Sequence, residues 1–254
     1  MKQKRWYMEY RIARNRPGLL GDIASLMGML KINILTINGV EDRTRGMLLQ
    51  SDNPEKIRLL GEMLQMVQDI TVTKLREPKL VDIVAMRHGR FVERDLDDRR
   101  TFRFVRAELG MLVDFLGEIC KRDGHQVIGL RGMPRVGKTE SIIAGSVSAS
   151  KRWIFVSSTL LRQTVRSQLT EEEMNPDHIF IIDGIVSTTR SNEKHDHLLK
   201  QIMEMPATKI IEHPDMFVRE SGYDYRIFDC MIELRNAPEE IIDYDAITNN
   251  LEAF

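Results

Sequence analysis

The stretch Gly132-Met133-Pro134-Arg135-Val136-Gly137-Lys138-Thr139 fills the pattern G-x-x-x-x-G-K-[ST] without a gap. The pattern constrains the fold because it belongs between a buried strand and the helix that follows it. The flanks have that order: Val127, Ile128, Gly129 and Leu130 read as a short apolar strand, and Glu140 to Ala149 continues as a helix. Glycines let successive backbone N–H groups and the helix N-terminus converge on one anionic centre. Lys138 adds a point charge and Thr139 an oxygen for Mg²⁺. The expected ligand is a nucleoside triphosphate, ATP or GTP with Mg²⁺, contacted by residues Gly132 through Thr139 and by Glu140 at the opening of the helix.

A matching acid is expected at the end of a neighbouring strand. His178-Ile179-Phe180-Ile181-Ile182-Asp183-Gly184 supplies it, with Asp183 closing an apolar run. As in P-loop proteins, that carboxylate would hold Mg²⁺ through water. Gly184 follows it where many motor-type ATPases carry a glutamate that polarises water, which speaks against a dedicated hydrolase. Residues 107–254 are thus expected to form a P-loop NTPase-type α/β/α domain with a mainly parallel sheet.

Composition narrows the setting. The chain has 254 residues, 42% hydrophobic and 30% charged, which allows one or two domains with a substantial core. A formal net charge of −1 argues against broad attraction to nucleic acid or a membrane surface. No apolar stretch is long enough to span a bilayer, and the opening residues lack a secretory apolar run, so a cytoplasmic location is expected. Cys120 and Cys230 suggest neither a disulfide framework nor a zinc site. His195 and His197 fall in a polar, charged segment without a partnering cysteine and read as exposed loop residues, so no protein-held transition metal is expected.

Residues 1–76 have their own rhythm, and their net positive charge contrasts with the net negative remainder. Trp6 to Ile12 reads as a strand, Arg16-Pro17-Gly18 as a turn, and Leu19, Ile23, Met27 and Leu30 recur on one helical face. Strands follow at Ile34 to Val40 and Gly46 to Gln50. Asn53 and Pro54 open a second helix bearing Ile57, Leu60 and Leu64, and Ile70 to Leu75 closes with a strand. The order is βαββαβ, a ferredoxin-like plait. With Asn15-Arg16-Pro17-Gly18-Leu19-Leu20 at its first turn and Asn33-Ile34 after the helix, the segment resembles an ACT domain, a small amino-acid-sensing regulatory module. The resemblance implies an amino acid or related metabolite bound near Asn15, Gly18, Leu19 and Asn33, and a homodimer formed through this module. Asn15 stands where that family usually has aspartate.

Residues 77–106 are charge-dense and read as a linker, with Val81 to Met86 a strand and Arg87-His88-Gly89-Arg90 a hairpin turn. Beyond the phosphate-loop helix, Trp153 to Val156 reads as a strand that gives way to a helix at Ser158, with Arg162 and Arg166 on one face at i, i+4. This stretch resembles the Ser-Thr-Asp-x-hydrophobic-Arg-x-x-x-Arg segment of the 2-phosphoglycerate kinases. The resemblance implies that Arg162 and Arg166 bind the acceptor or the transferring phosphate, although Thr159 replaces the aspartate that orients the acceptor hydroxyl there. Ser187 to Ser191 are candidates for a γ-phosphate contact or simply a polar loop. Two readings follow. One is a small-molecule kinase-like phosphotransferase, with Lys138, Asp183, Arg162 and Arg166 as its catalytic set. The other is a non-enzymatic switch that binds nucleotide and metabolite and acts on a protein partner.

Overall fold

The computed structural model describes residues 4–158 and 164–242. These fall into two compact units divided at Val92 and Glu93.

In the first unit the apolar alternation of β1 (Arg5–Ile12) places Met8 and Tyr10 on the face that receives α1 (Leu19–Met29). The chain then forms β2 (Asn33–Gly39), β3 (Thr44–Gln50), α2 (Pro54–Gln65) and β4 (Ile70–Arg76). The four strands pair antiparallel in the order β2-β3-β1-β4. Both helices bury their apolar stripes on one face: Leu19, Ile23 and Met27 from α1, and Ile57, Leu60 and Leu64 from α2. Asn53 starts α2 as expected, its side-chain oxygen accepting from Glu55 N–H at 2.9 Å.

The supposed linker is partly structure of this unit. Val81 to Met86 is no strand but part of α3 (Leu80–His88), which ends at Gly89 in the left-handed region. Ala85 and Met86 cover the sheet face opposite the other helices, against Tyr7 and Val40. Arg76 clamps the start of α3 through a bidentate pair with Asp82 at 2.6 and 3.0 Å, and Asn38 donates to the Met86 carbonyl at 2.6 Å. An isolated charge-rich stretch reads as solvated chain; here the charges are the anchors of an apolar helix face.

The second unit begins with β5 (Glu93–Arg94) and β6 (Thr101–Val105), so two sheet strands fall within the remainder of the expected linker, ahead of the expected boundary at residue 107. α4 (Leu109–Cys120), β7 (Gln126–Gly132) and α5 (Lys138–Ser148) follow. α4 and α5 pack closely: a Cβ on Gly145 would lie 2.6 Å from Leu116 Cβ. Next come β8 (Trp153–Phe155), β9 (Ser157–Ser158), β10 (Thr164–Val165) and β11 (Ile179–Asp183). α6 (Gly184–Thr189), α7 (Glu193–Glu204), β12 (Thr208–Glu212), α8 (Pro214–Ser221) and β13 (Cys230–Arg235) complete the unit.

The central sheet has seven strands in the order β5-β6-β13-β7-β12-β11-β8, with every pair parallel except β5 with β6. The strands read as near-continuous apolar runs because both faces are buried. From β7 the chain crosses to β8 at the far edge, returns through β11 and β12, and passes to β13 on the other side of β7. The carboxyl end of β7 therefore sits where the winding reverses, the usual place for a ligand crevice in such sheets.

Candidate functional site

Residues 133–137 link the carboxyl end of β7 to α5. Arg135 (φ 63°) and Gly137 (φ 110°) both lie in the left-handed region, so the chain folds back within a few residues. Gly132 is required for another reason: a Cβ there would stand 2.6 Å from the Leu234 carbonyl oxygen of the neighbouring strand. Val136 is buried inside the loop, and Met133 packs on Ile185 and Met216.

Lys138, the first residue of α5, is only 7% exposed. Its ammonium donates to the carbonyls of Gly132 and Met133 at 2.8 and 3.0 Å, curling back over the loop. Burial pushes its pKa down, opposed by the charges of Glu212, Asp183 and Glu140. A buried lysine is costly unless it is bonded, and these carbonyls hold it beside the backbone N–H groups of the turn.

Thr139 next to it donates its hydroxyl to Glu212 Oε1 at 2.6 Å. Glu212 ends β12, the direct neighbour of β7. Burial, and after it the charge of Asp183, raises the Glu212 carboxyl to about 7, against the pull of the Thr139 hydrogen bond and of Lys138. Asp183 ends β11, one strand further out, with β12 in between. The acid expected on a neighbouring strand is thus displaced by one strand, and the acid on the strand next to β7 is Glu212. Asp183 is buried, and its Oδ1 caps α6 by accepting from Ile185 and Val186 N–H at 3.1 Å each. His213, beyond Glu212, is left-handed (φ 54°) and buried; burial first, then the charge of Lys138, lowers its pKa to about 4. The signal for Glu212 was present in the chain, an apolar strand ending in an acid before His213-Pro214, but it has no fixed spacing from the loop.

The kinase-type segment differs from its expected form. Thr164 and Val165 pair antiparallel with Ser158 and Ser157, so the chain at Arg166 leaves a short ribbon and not a helix. The Arg166 guanidinium forms a bidentate pair with Glu173 at 2.7 and 2.8 Å. Thr159 and Arg162 lie outside the described residues. Ser187 to Thr189 belong to α6 and not to a polar loop: the Ser187 hydroxyl is buried, while Thr188 and Thr189 donate to backbone carbonyls one turn back. His195 and His197 belong to α7, and His195 is fully buried.

In the first unit Gly18 (φ 85°) opens α1 in the left-handed region, which only glycine adopts without strain. Asn15 and Gly18 are exposed, whereas the Leu19 side chain lies in the core and leaves only its backbone for a ligand. Asn33 lines a polar cavity of about 330 Å³ with Lys31, Gln50, Ser51, Asp52, Asn53 and Lys56. Neither Asn15, Gly18 nor Leu19 lines that cavity, so the four candidates do not converge on it. Gly18→Ala is expected to destabilise the unit by about 1 kcal/mol through left-handed strain alone, since the nearest atom to a new Cβ is 3.9 Å away. Urea unfolding of the variant measures it.

Sheet order and site together define a mixed α/β protein with a mostly parallel central sheet, whose glycine-flanked loop faces a buried lysine, threonine and glutamate. The chain belongs to the family described as protein of unknown function (DUF3388), whose model matches residues 72–253. It is 59% identical over 240 residues to the uncharacterized protein YmfK of Bacillus subtilis (strain 168), covering 94% of this chain and 89% of that protein. Among solved structures, the ACT domain from the GTP pyrophosphokinase of Chlorobium tepidum matches with 19% identity and a TM-score of 0.25, covering 29% of this chain and 99% of that one. Among the described residues no helix is long and apolar enough to cross a membrane, and no cluster of three or more His, Cys, Asp or Glu could hold a metal ion.

Proposed function

We propose that the second unit binds a nucleoside triphosphate with Mg²⁺ at the Gly132–Thr139 loop and that the protein acts as a nucleotide-responsive regulator. The observation that carries this reading is the buried Lys138 ammonium bonded to the loop's own carbonyls, beside a Thr139 hydroxyl that is held by Glu212. In this reading Lys138 would bind the β- and γ-phosphates, the loop N–H groups would cradle them, and Thr139, Asp183 and Glu212 would hold Mg²⁺ directly or through water. Phosphoryl transfer to a small acceptor is the weaker reading, because the Arg166 guanidinium is engaged by Glu173. Calorimetric titration of the protein with ATP and with GTP, each with Mg²⁺ and with a chelator, tests the proposal. Heat with neither nucleotide would remove it.

We propose further that the first unit is a small-ligand module that pairs with a second copy. The Gly18 conformation and the sequence resemblance support the ligand. An exposed edge strand supports the pairing: β2 pairs only with β3 among the described strands, with Leu35 and Ile37 exposed on it and Leu20 and Met29 exposed on α1. Ile37→Lys is expected to shift the mass seen by light scattering from dimer to monomer. A monomeric wild type would count against pairing.

A further inference from the structure

Behind the site runs a buried chain of polar side chains that nucleotide binding by itself leaves without a role. The Asp183 backbone N–H donates to Ser157 Oγ at 2.8 Å, and the Ser157 and Ser187 hydroxyls meet at 2.7 Å. Ser187 Oγ lies 3.0 Å from His195 Nε2, and His195 Nδ1 lies 2.7 Å from the Arg166 carbonyl oxygen. Ser157, Ser187 and His195 are each at most 2% exposed.

A carbonyl only accepts, so Nδ1 carries the hydrogen. In that tautomer Nε2 accepts from Ser187, while Ser157 accepts from the Asp183 amide and has two acceptors within reach of its own hydrogen, Ser187 Oγ and the Asp183 carbonyl oxygen at 3.1 Å. Ser157 thus touches both the N–H and the carbonyl of Asp183, and burial strengthens each of these bonds. Both ends of the chain are backbone. One belongs to the acid that caps α6 and faces the site. The other is Arg166, whose N–H donates to the Val156 carbonyl at 3.0 Å and whose guanidinium holds Glu173.

We propose that His195 is a positioning residue: through Ser187 and Ser157 it fixes the Asp183 backbone to the segment at Arg166, so that the carboxylate stays in place for Mg²⁺. The consequence for metal rests on the nucleotide reading above, while the fixing of Asp183 does not. Two variants test it, Ser187→Ala, which removes one oxygen, and His195→Phe, which keeps a planar ring. In ligand-free protein the Asp183 amide should exchange hydrogen at least about tenfold faster in both variants, while the Ile181 amide is unaffected. In calorimetry the gain in ATP affinity on adding Mg²⁺ should shrink about fivefold, the worth of one buried hydrogen bond, with affinity in chelator unchanged. Unaltered Asp183 exchange in both variants would overturn the proposal, as would equal losses of affinity with and without Mg²⁺. A wild type that binds no nucleotide would sink the functional reading and leave the amide measurement to decide this one.

Discussion

Lys138→Ala is expected to weaken Mg²⁺·ATP binding about a hundredfold. The estimate follows from the charge-assisted hydrogen bonds that an ammonium makes to phosphate oxygens, worth roughly 1.5 to 3 kcal/mol when the site is shielded from water. Lys138 has the shielding, at 7% exposure, and its two present partners are neutral carbonyls that a phosphate would outcompete. Folding should change little. The substitution removes a desolvated charge as well as two hydrogen bonds, and alanine keeps the helical start of α5. Calorimetry on both proteins, with a thermal scan as the folding control, measures the effect. A variant with wild-type affinity would mean that the loop is only a tight turn.

Glu212→Gln should raise the stability of the ligand-free protein by about 3 kcal/mol at alkaline pH and leave it nearly unchanged in mild acid. Burial lifts the folded-state carboxyl from its ordinary 4.5 to about 7. Between those values the folded protein holds a proton that the unfolded chain releases. The contribution of this group is therefore intact below the unfolded pKa and is lost as pH rises through about 7. Glutamine cannot ionise, so its variant escapes the loss while its side-chain oxygen still accepts from Thr139. Urea unfolding at about pH 5 and about pH 8, followed by Trp153 fluorescence in a Trp6→Phe background, reads the difference; parallel pH slopes would show that Glu212 titrates normally. On the proposed nucleotide reading, the same group would give binding a pH dependence. Mg²⁺ beside Glu212 favours the carboxylate, so nucleotide binding should strengthen as pH rises towards 7, and Glu212→Gln should flatten that slope. A stability that improves when the acid is removed marks a residue kept at a cost to folding.

Gly184 ties these acids together. The structure gives a steric reason for glycine here: a Cβ would meet the His213 and Glu212 carbonyl oxygens at 2.7 and 2.8 Å. α6 starts so close to the end of β12 that no side chain fits. The nearest carboxylate to Thr139 comes instead from Glu212, across the strand boundary.

What the chain determined by itself is local. The loop motif, the Asn53 cap, the turn at Gly18 and the periodicities of β1, α1 and α2 were legible because each depends on residues within a turn or two of one another. What the tertiary structure decided is adjacency. Strand order is not chain order, so nothing near Asp183 announces that β12 will insert between β11 and β7 and bring Glu212 to Thr139 instead. Nor does a charged stretch reveal whether its arginines stay solvated or clamp a helix, as Arg76 does with Asp82. His195 shows the limit most clearly. Its sequence neighbours are polar and one face of its helix is exposed, and only the packing of α7 and α6 against the sheet removes it from water and gives both ring nitrogens their partners.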